Sequence, residues 1–405
     1  MRWWRKRRGG ASGNYHRDVR LLSVLLVIAA PLAAQQNLVE TGNDHFYNLE
    51  YDEAAVVFDK AIAQRPDDPD AHNRMAQTLV FREMYRNGAL ESELVSGANS
   101  FLRRPKLNPS PEVEKRFLEE IAKSMSLTEA RLRANPNDAA ALYSQGIAYG
   151  LRANYYWVVK KAWRDALSDA TAARRAHNRV SEIEPANVDS RLVQGLHDYI
   201  VGSLPMGYRM LGFMVGVRGD KPKGIRTVQD VAAKGTRNRL DAEILLCALY
   251  RRENTPNLAI PLLQDLIRRF PRNYVLYMEL SQMYSMTGDK QHALEAMDRL
   301  AELKTRGARG FVAVPWEKIY FQRGIIQFWY NDLDQSLVNL KNVTAAPDAD
   351  LNAGAQARLR IGQIHDMKNR RTEAMESYRQ TVAFAPQSDA AAEARRCLSS
   401  PYRRK

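Results

Sequence analysis

The sequence predicts an all-α fold, specifically an α-solenoid of helix hairpins with irregular insertions. The main observation is a 34-residue repeat within residues 240–306, in which Tyr250 returns as Tyr284 and Ala259 returns as Ala293. A fixed period of this length indicates stacked helical units, each burying its apolar face against its neighbours. No segment of useful length alternates apolar and polar residues as a half-buried strand does, so a β-sheet is not expected.

The residue types at the repeated positions explain why such hairpins pack. Cys247 and Ser281 stand at one anchor and Ala259 at another, where two helices approach closely only if the side chains are small. Pro271 ends the second helix because proline cannot donate a helical hydrogen bond. Less regular copies of the pattern have their anchors at Gly42, Ala54, Phe58, Ala61, Pro66, Leu142, Gly146, Tyr149, Tyr320, Gly324, Ser336, Leu340, Ile361, Gly362, Ala374, Tyr378 and Pro386.

Together these anchors resemble the tetratricopeptide repeat (TPR), in which a large residue, Leu, a small residue and Tyr are followed by Ala, a large residue and Pro. The resemblance implies an array of antiparallel helix hairpins whose concave groove binds peptides or helices. It also implies a scaffold rather than an enzyme.

A central block, residues 202–224, departs from the repeat. It contains the Leu204–Pro205 step, an apolar stretch, then Gly219, Asp220 and Gly224 before the next helix. This order resembles the middle of a eukaryotic TPR family that includes mitochondrial outer-membrane and inclusion-body-clearance proteins. That resemblance implies a non-enzymatic adaptor with lipid or membrane associations. The chain as a whole resembles exported bacterial TPR proteins that contain this block.

The anchors and prolines predict how the chain is organised. The 49 residues from Pro136 to Pro185 predict longer helices that run through Tyr155–Trp157 and Trp163. The predicted segments are a signal peptide (1–34), a TPR unit (35–68), a degenerate TPR-like pair with a loop (69–136), TPR-like units with long helices (137–201), an apolar insertion block (202–238), two regular TPR units (239–306), a TPR unit with an N-terminal insertion (307–348), a further TPR unit (349–387) and a closing helix with a basic tail (388–405).

The first 34 residues have the features of a secretory signal. Residues 1–20 carry seven Arg or Lys against one acid, and the apolar run Leu21–Leu32 follows. This run has about 12 residues, whereas a membrane-spanning helix needs about 20. Small residues precede Gln35, so we expect cleavage after Ala34 and a location in the periplasm or at the outer membrane. An uncleaved anchor, or a start codon assigned upstream of an ordinary signal, stays an alternative.

The composition excludes a disordered chain and a disulfide-stapled one, since 45% of the residues are apolar and 2 are Cys. The 60 basic and 46 acidic residues give a net charge of +14; removing residues 1–34 takes away 7 basic and 1 acidic residues and leaves 53 against 45, or +8. Charges of both signs alternate along the chain, as in Arg251–Glu253, which is typical of solvated helix faces. We therefore expect a protein or peptide partner and no nucleic acid.

Residues typical of catalysis or metal binding are scattered. The 7 His include no pair spaced by three or four residues, so no metal site is predicted. Cys247 stands at a small-residue anchor and Cys397 in the closing helix, and both are expected to be free core thiols. The run Lys234–Thr236 lacks the upstream glycine of a phosphate-binding loop. We expect neither an enzyme nor a cofactor.

The groove of a TPR array predicts where a partner would bind. In one unit the groove-lining stripe is Met278 and Gln282, and in another it is Leu359, Gln363 and Asp366. The helix that begins near Glu317 instead presents a second apolar face. Two explanations stay open: the insertion Gly307–Pro315 folds over that face, or the face is an aromatic anchor pocket for a partner. Its residues are Phe321, Ile325, Phe328 and Trp329.

The apolar stretch of the central block suggests an alternative function. Met206, Met210 and Met214 recur at a spacing of four residues, with Arg209 as the one internal charge. Such a helix could lie on a membrane surface and make peripheral lipid contacts. The competing explanation, which we favour, is a buried core helix that fills the junction between repeats.

Overall fold

The structure is a computed structural model and describes residues 37–88, 90, 107–207, 210, 218–346 and 350–404. All regular secondary structure in these ranges is helical, and successive helices pack against one another in hairpins. This confirms the predicted fold class, an all-α solenoid of TPR-type hairpins. The predicted signal peptide, residues 1–34, and Met214 lie outside the described residues.

Contacts divide the chain into two compact units. In the first unit, the Phe117 ring stacks on the Tyr155 ring with centroids 4.5 Å apart. The Arg152 guanidinium makes two hydrogen bonds to Asp169, at 2.6 and 2.8 Å. The helices of this unit are α1 (37–47), α2 (Tyr51–Gln64), α3 (Pro69–Arg86), α4 (Pro111–Ala134), α5 (Ala139–Tyr155) and the start of α6 (Trp163–Ile183).

The second unit contains the rest of α6 and the remaining helices, together with the stretch Tyr47–Leu49, which begins at the last residue of α1, and the end of α3 from Met84 onward. Within it, the Tyr47 hydroxyl donates to Asp241 at 2.9 Å, and the Asn273 side-chain amide donates to the Tyr47 carbonyl at 2.8 Å. Its helices are α7 (Leu192–Gly202), α8 (Lys221–Lys234), α9 (Arg239–Arg252), α10 (Pro256–Arg269), α11 (Tyr274–Met286), α12 (Lys290–Thr305), α13 (Trp316–Trp329), α14 (Leu333–Ala345), α15 (Leu351–Met367), α16 (Arg371–Phe384) and α17 (Asp389–Ser399).

The small residues of the repeat let paired helices touch, as predicted. A Cβ atom on Gly324 would lie 2.8 Å from Leu340 Cδ2, and one on Gly362 would lie 2.5 Å from Tyr378 Cε1. The Ser281 hydroxyl, at the same repeat position, donates to a carbonyl of α12 at 2.7 Å. The prolines at the other anchor lie in the turns that follow a helix, at positions Pro66, Pro136, Pro185, Pro271 and Pro386.

The expected long helices of residues 137–201 are interrupted. Helix α5 gives way to a π-helical turn at Tyr156–Lys160, and Lys161 adopts a left-handed backbone with φ of 55°. The chain then restarts as α6 at Trp163. The helices on either side of this break are nevertheless longer than those of the two regular units, with 17 residues in α5 and 21 in α6 against 13 to 16 in α9 to α12. The break itself is a local change of hydrogen bonding, which residue spacing does not record.

Glycines of the central block allow α7 and α8 to approach closely. A Cβ on Gly224 would lie 2.5 Å from the Tyr199 backbone nitrogen, and one on Gly219 would lie 2.6 Å from the Gly202 nitrogen. Asp220 caps α8 by accepting the Lys223 backbone N–H at 2.9 Å. The glycines and the aspartate of this block thus have structural roles in one helix pair.

Candidate functional site

The first helices of consecutive hairpins in the second unit are linked by polar side chains. Arg251 of α9 donates two hydrogen bonds to Glu279 of α11, both at 2.8 Å. Gln322 of α13 donates to Gln282 of α11 at 3.0 Å. We call the surface formed by these side chains the first-helix face. Its polar groups are paired with one another, and this fixes the spacing of the helices.

Met278 and Gln282 lie on α11 beside this face and are both half-buried. Met278 packs against the cluster that contains Tyr274 and Met297. The predicted groove-lining residues are therefore partly accessible, and each also has a structural contact.

The second apolar face of α13 is mostly covered. Phe328 is fully buried. Phe321 and Ile325 are half-buried against the same cluster, which α13, α14 and α15 form. Phe328, a member of the predicted partner-binding set, is therefore inaccessible to a partner, which corrects its place in that set. The other members of the cluster are Leu340, Val343, Ala357, Ile361 and Ile364.

The cover over Phe328 comes from an unexpected part of the chain. Tyr402 packs against the cluster, with its ring centroid 6.4 Å from that of Phe328. The Arg404 guanidinium lies 4.8 Å from the Phe328 ring centroid. The insertion Gly307–Pro315 covers a different face of α13, because its Phe311 is buried in a separate cluster that includes Ile319 and Ile326 of α13 but not Phe328. Neither explanation drawn from the sequence named residues 400–404.

Trp329 is the accessible aromatic residue of the predicted set. Its side chain is 53% exposed, and its ring meets the Phe328 ring edge-on with centroids 5.2 Å apart. The guanidinium groups of Arg360 and Arg404 lie 5.2 and 5.6 Å from its ring centroid. Burial lowers the pKa of Arg360, although the nearby Glu393 and Tyr402 oppose that effect and Arg404 adds to it. Trp329 is thus an accessible aromatic ring with two guanidinium groups within 5.6 Å of its centroid.

The stripe Leu359, Gln363 and Asp366 does not line an open groove. Leu359 and Gln363 are fully buried, and Gln363 donates to Glu393 of α17 at 2.7 Å. Asp366 accepts hydrogen bonds from Arg371 at 2.9 and 3.0 Å and from other donors described below. The closing helix and the segment after it occupy the space that a groove would need.

The methionines of the central block are exposed where the structure describes them. Met206 is 78% exposed and Met210 is 65% exposed. The interpretation of this stretch as a buried core helix is therefore wrong for these two residues. Within the described ranges, no helix has both the length and the apolar character that a membrane span requires.

Other polar groups of the described chain have structural roles. Cys247 and Cys397 are buried free thiols, as expected, and burial raises the pKa of Cys247 to about 12. Residues 37–404, where they are described, contain no group of three His, Cys, Asp or Glu side chains that could hold a metal ion. A shallow cavity of about 430 Å³ between α14, α15 and α16 is lined by charges of both signs, including Lys341 and Glu373, and by His365.

No protein-family model matches this chain, and no curated protein matches it in sequence. Among solved structures, the chain is similar to a chain of the Cut9–Hcn1 assembly of the APC/C, with a TM-score of 0.49 and 14% identity over 90% of this chain and 55% of that one. It is also similar to yeast Tom70, with a TM-score of 0.40 and 13% identity over 91% and 95% of the two chains.

A third similar structure is YrrB, described as a TPR protein with an unusual peptide-binding site, with a TM-score of 0.30 and 14% identity over 66% of this chain and 97% of that one. The present chain spans about half of the Cut9–Hcn1 chain that it matches.

Proposed function

We propose that the protein is an exported, non-enzymatic scaffold whose repeat array binds a protein or peptide partner. The observation that carries the proposal is the half-exposed Trp329, whose ring has two guanidinium groups within 5.6 Å of its centroid. Exposed aromatic residues and arginines are the side chains that most often dominate the energy of a protein interface. The half-buried Met278 and Gln282 extend the candidate surface along α11.

Capture of the partner tests this function. The chain from Gln35 onward is immobilised and exposed to an extract of cell envelopes, and bound proteins are identified by mass spectrometry. Each identified protein is then purified and titrated against the wild-type chain. We expect Trp329→Ala to weaken that binding by about 2 kcal/mol, or about thirtyfold, as for an interface anchor.

A matched control separates the site from general loss of apolar surface. Leu258→Ala changes an apolar residue on α10 that is 51% exposed, close to the 53% of Trp329. It should leave the affinity for the purified partner unchanged. Equal losses of affinity in the two variants would contradict the proposed site. Failure to capture any reproducible partner would contradict the scaffold function.

Export is a separate part of the proposal and rests on residues 1–34, which combine a basic start, a short apolar run and small residues before Gln35. N-terminal sequencing of the protein from fractionated cells tests it. We expect a mature chain that begins near Gln35 in the periplasmic or outer-membrane fraction. An intact chain that begins with Met1 in the cytosolic fraction would refute export.

A further inference from the structure

Residues 400–404 form an extended segment that follows α17 and has no regular secondary structure. Tyr402 and Arg404 are half-buried, while Pro401 and Arg403 between and beside them are exposed. An extended peptide on a receptor surface contacts it with every second side chain, because its successive side chains point to opposite sides. The segment therefore contacts the array as a bound peptide would.

A buried carboxylate holds the main chain of this segment. The Tyr402 backbone N–H donates to Asp366 at 2.8 Å. The Asp366 side chain is 1% exposed, and it also accepts from Arg371 and from the Tyr378 hydroxyl, at 2.7 Å in the latter case. Arg371 and Tyr378 belong to the neighbouring helix α16 and fix the carboxylate independently of residues 400–404. The acceptor for Tyr402 is thus prearranged.

The side chain of Arg404 meets a second prearranged acceptor. It donates to the Phe328 carbonyl, in the last turn of α13. The same carbonyl also accepts the Asn331 backbone N–H at 3.1 Å. Carbonyls in the last turn of a helix carry the negative end of the helix dipole, so they attract a cation. The Arg404 guanidinium also lies over the Phe328 and Trp329 rings, at 4.8 and 5.6 Å from their centroids.

We propose that the cleft formed by Phe328, Trp329, Arg360 and Asp366 is a docking site for an extended peptide segment that carries an aromatic residue and, two positions later, an arginine. Residues 400–404 are its resident occupant, and a partner segment with these features enters by displacing them. This inference rests on the proposed scaffold function and gives the chemistry of the partner.

The direct test uses the resident segment as the probe. A chain that ends at Ser399 is prepared, and its folding is checked by circular dichroism. A fluorescein-labelled synthetic peptide with the sequence of residues 400–405 is then titrated against it and followed by fluorescence anisotropy. We expect saturable binding at one site. The full-length chain should bind the same peptide at least about tenfold more weakly, because its own segment competes.

Peptide variants provide controls that do not affect folding of the receptor. Arg404→Ala in the peptide should weaken binding at least about tenfold, whereas Arg403→Ala, which removes the same charge from an exposed position, should change it by less than about twofold. N-methylation of the Tyr402 nitrogen, which removes the donor to Asp366, should also weaken binding about tenfold. Equal losses for Arg403→Ala and Arg404→Ala would mean non-specific charge attraction and would overturn the proposal.

If the shortened chain fails to fold, the full-length double variant Tyr402→Ala with Arg404→Ala replaces it as the receptor. Absence of saturable peptide binding to the folded shortened chain, or to this double variant, would overturn the docking site. These outcomes are independent of partner capture. If the peptide binds but no partner is captured, the docking site stands and the scaffold function is rejected. If a partner is captured but the peptide does not bind, the scaffold function stands and the docking site is rejected.

Discussion

His72 Nδ1 lies 2.5 Å from Glu120 Oε2, and both side chains are buried in the first unit. The other ring nitrogen of His72 is 3.0 Å from the Pro66 carbonyl. Arg116 forms a further ion pair with Glu120. Burial alone would lower the pKa of His72, but the hydrogen bonds to Glu120 and to Pro66 outweigh it and raise the pKa above the ordinary value of 6.5. The protonated imidazole therefore stabilises the folded chain.

This pair predicts a loss of stability in mildly alkaline solution. A raised pKa in the folded state means that the His72 contribution is fully present below pH 6.5 and disappears as the pH rises through the folded-state pKa. Glu120 behaves oppositely, since His72 and Arg116 outweigh burial and lower its pKa below 4.5, so its contribution disappears as the pH falls. Urea denaturation between pH 4.5 and 9 measures this dependence. The contribution of the pair to the free energy of unfolding should be greatest from about pH 4.5 to 6.5.

Two variants assign the pH dependence to the pair. His72→Gln should remove the alkaline decline, and Glu120→Gln should remove it too because the imidazolium loses its acceptor. Each should lower the free energy of unfolding at pH 6 by about 2 kcal/mol, the usual contribution of a hydrogen bond to a charged group. If the stability of His72→Gln still declines at alkaline pH as in the wild type, the decline is caused by another titratable group.

The close contact between Gly362 and Tyr378 predicts an unusual response to alanine. Within a helix, alanine is ordinarily favoured over glycine by about 1 kcal/mol. At Gly362 the added Cβ would lie 2.5 Å from the Tyr378 ring, which is itself fully buried. Gly362→Ala should therefore destabilise the protein, by about 1–3 kcal/mol, because the ring and α16 must shift. Thermal melting followed by circular dichroism measures this.

Gly150 provides the matched control for that prediction. It also lies inside a helix, α5, and apart from its chain neighbours and the backbone of its own helix no heavy atom comes within 4 Å of the position that its Cβ would take. Gly150→Ala should therefore raise the melting temperature or leave it unchanged. A gain in stability at both positions would contradict the packing of Gly362 against Tyr378.

The repeat could be predicted from the sequence because its anchors act locally. Gly362 meets Tyr378, and Gly324 meets Leu340, across a single turn, so a fixed spacing records the contact directly. The exposure of Phe328 could not be predicted in this way. Its cover includes Arg404, which lies 76 residues further along the chain, and residues 400–404 carry no repeat pattern. Hydrophobic periodicity reports which face of a helix is apolar and gives no information on which distant segment covers it.

The different burial of Phe328 and Trp329 predicts different costs of truncation. Phe328→Ala removes a fully buried ring from the cluster of α13, α14 and α15 and should lower the free energy of unfolding by about 3–5 kcal/mol. Trp329→Ala removes a ring that is 53% exposed and should cost less than about 1 kcal/mol. Chemical denaturation compares them, and equal costs would mean that Trp329 belongs to the core and is unsuitable as a partner anchor.

Asp189 organises the loop between α8 and α9, and its loss should be costly. Its carboxylate accepts the Thr236 N–H at 3.0 Å and the Asn238 N–H at 2.9 Å, and the Thr236 hydroxyl also donates to it at 3.0 Å. Burial alone would raise the pKa of Asp189, but these donors outweigh it and hold the pKa below 3.8. Only glycine fits at position 235 beside the carboxylate, since the Cβ of any other residue would lie 2.6 Å from Asp189 Oδ1. The Lys234–Thr236 run thus has a structural role.

We expect Asp189→Asn to lower the free energy of unfolding at pH 7 by about 2 kcal/mol, since the loop N–H groups lose a charged acceptor. The control is Asp230→Asn, whose side chain is 53% exposed and pairs with Lys234 one helical turn away; it should cost less than about 0.5 kcal/mol. Because the folded-state pKa of Asp189 is lowered, its contribution is present above pH 3.8 and declines as the pH falls through that pKa. Urea denaturation at pH 7 and pH 3 should therefore show a smaller difference between Asp189→Asn and the wild type at pH 3. A difference that stays the same at both pH values would show that the carboxylate charge does not stabilise the loop.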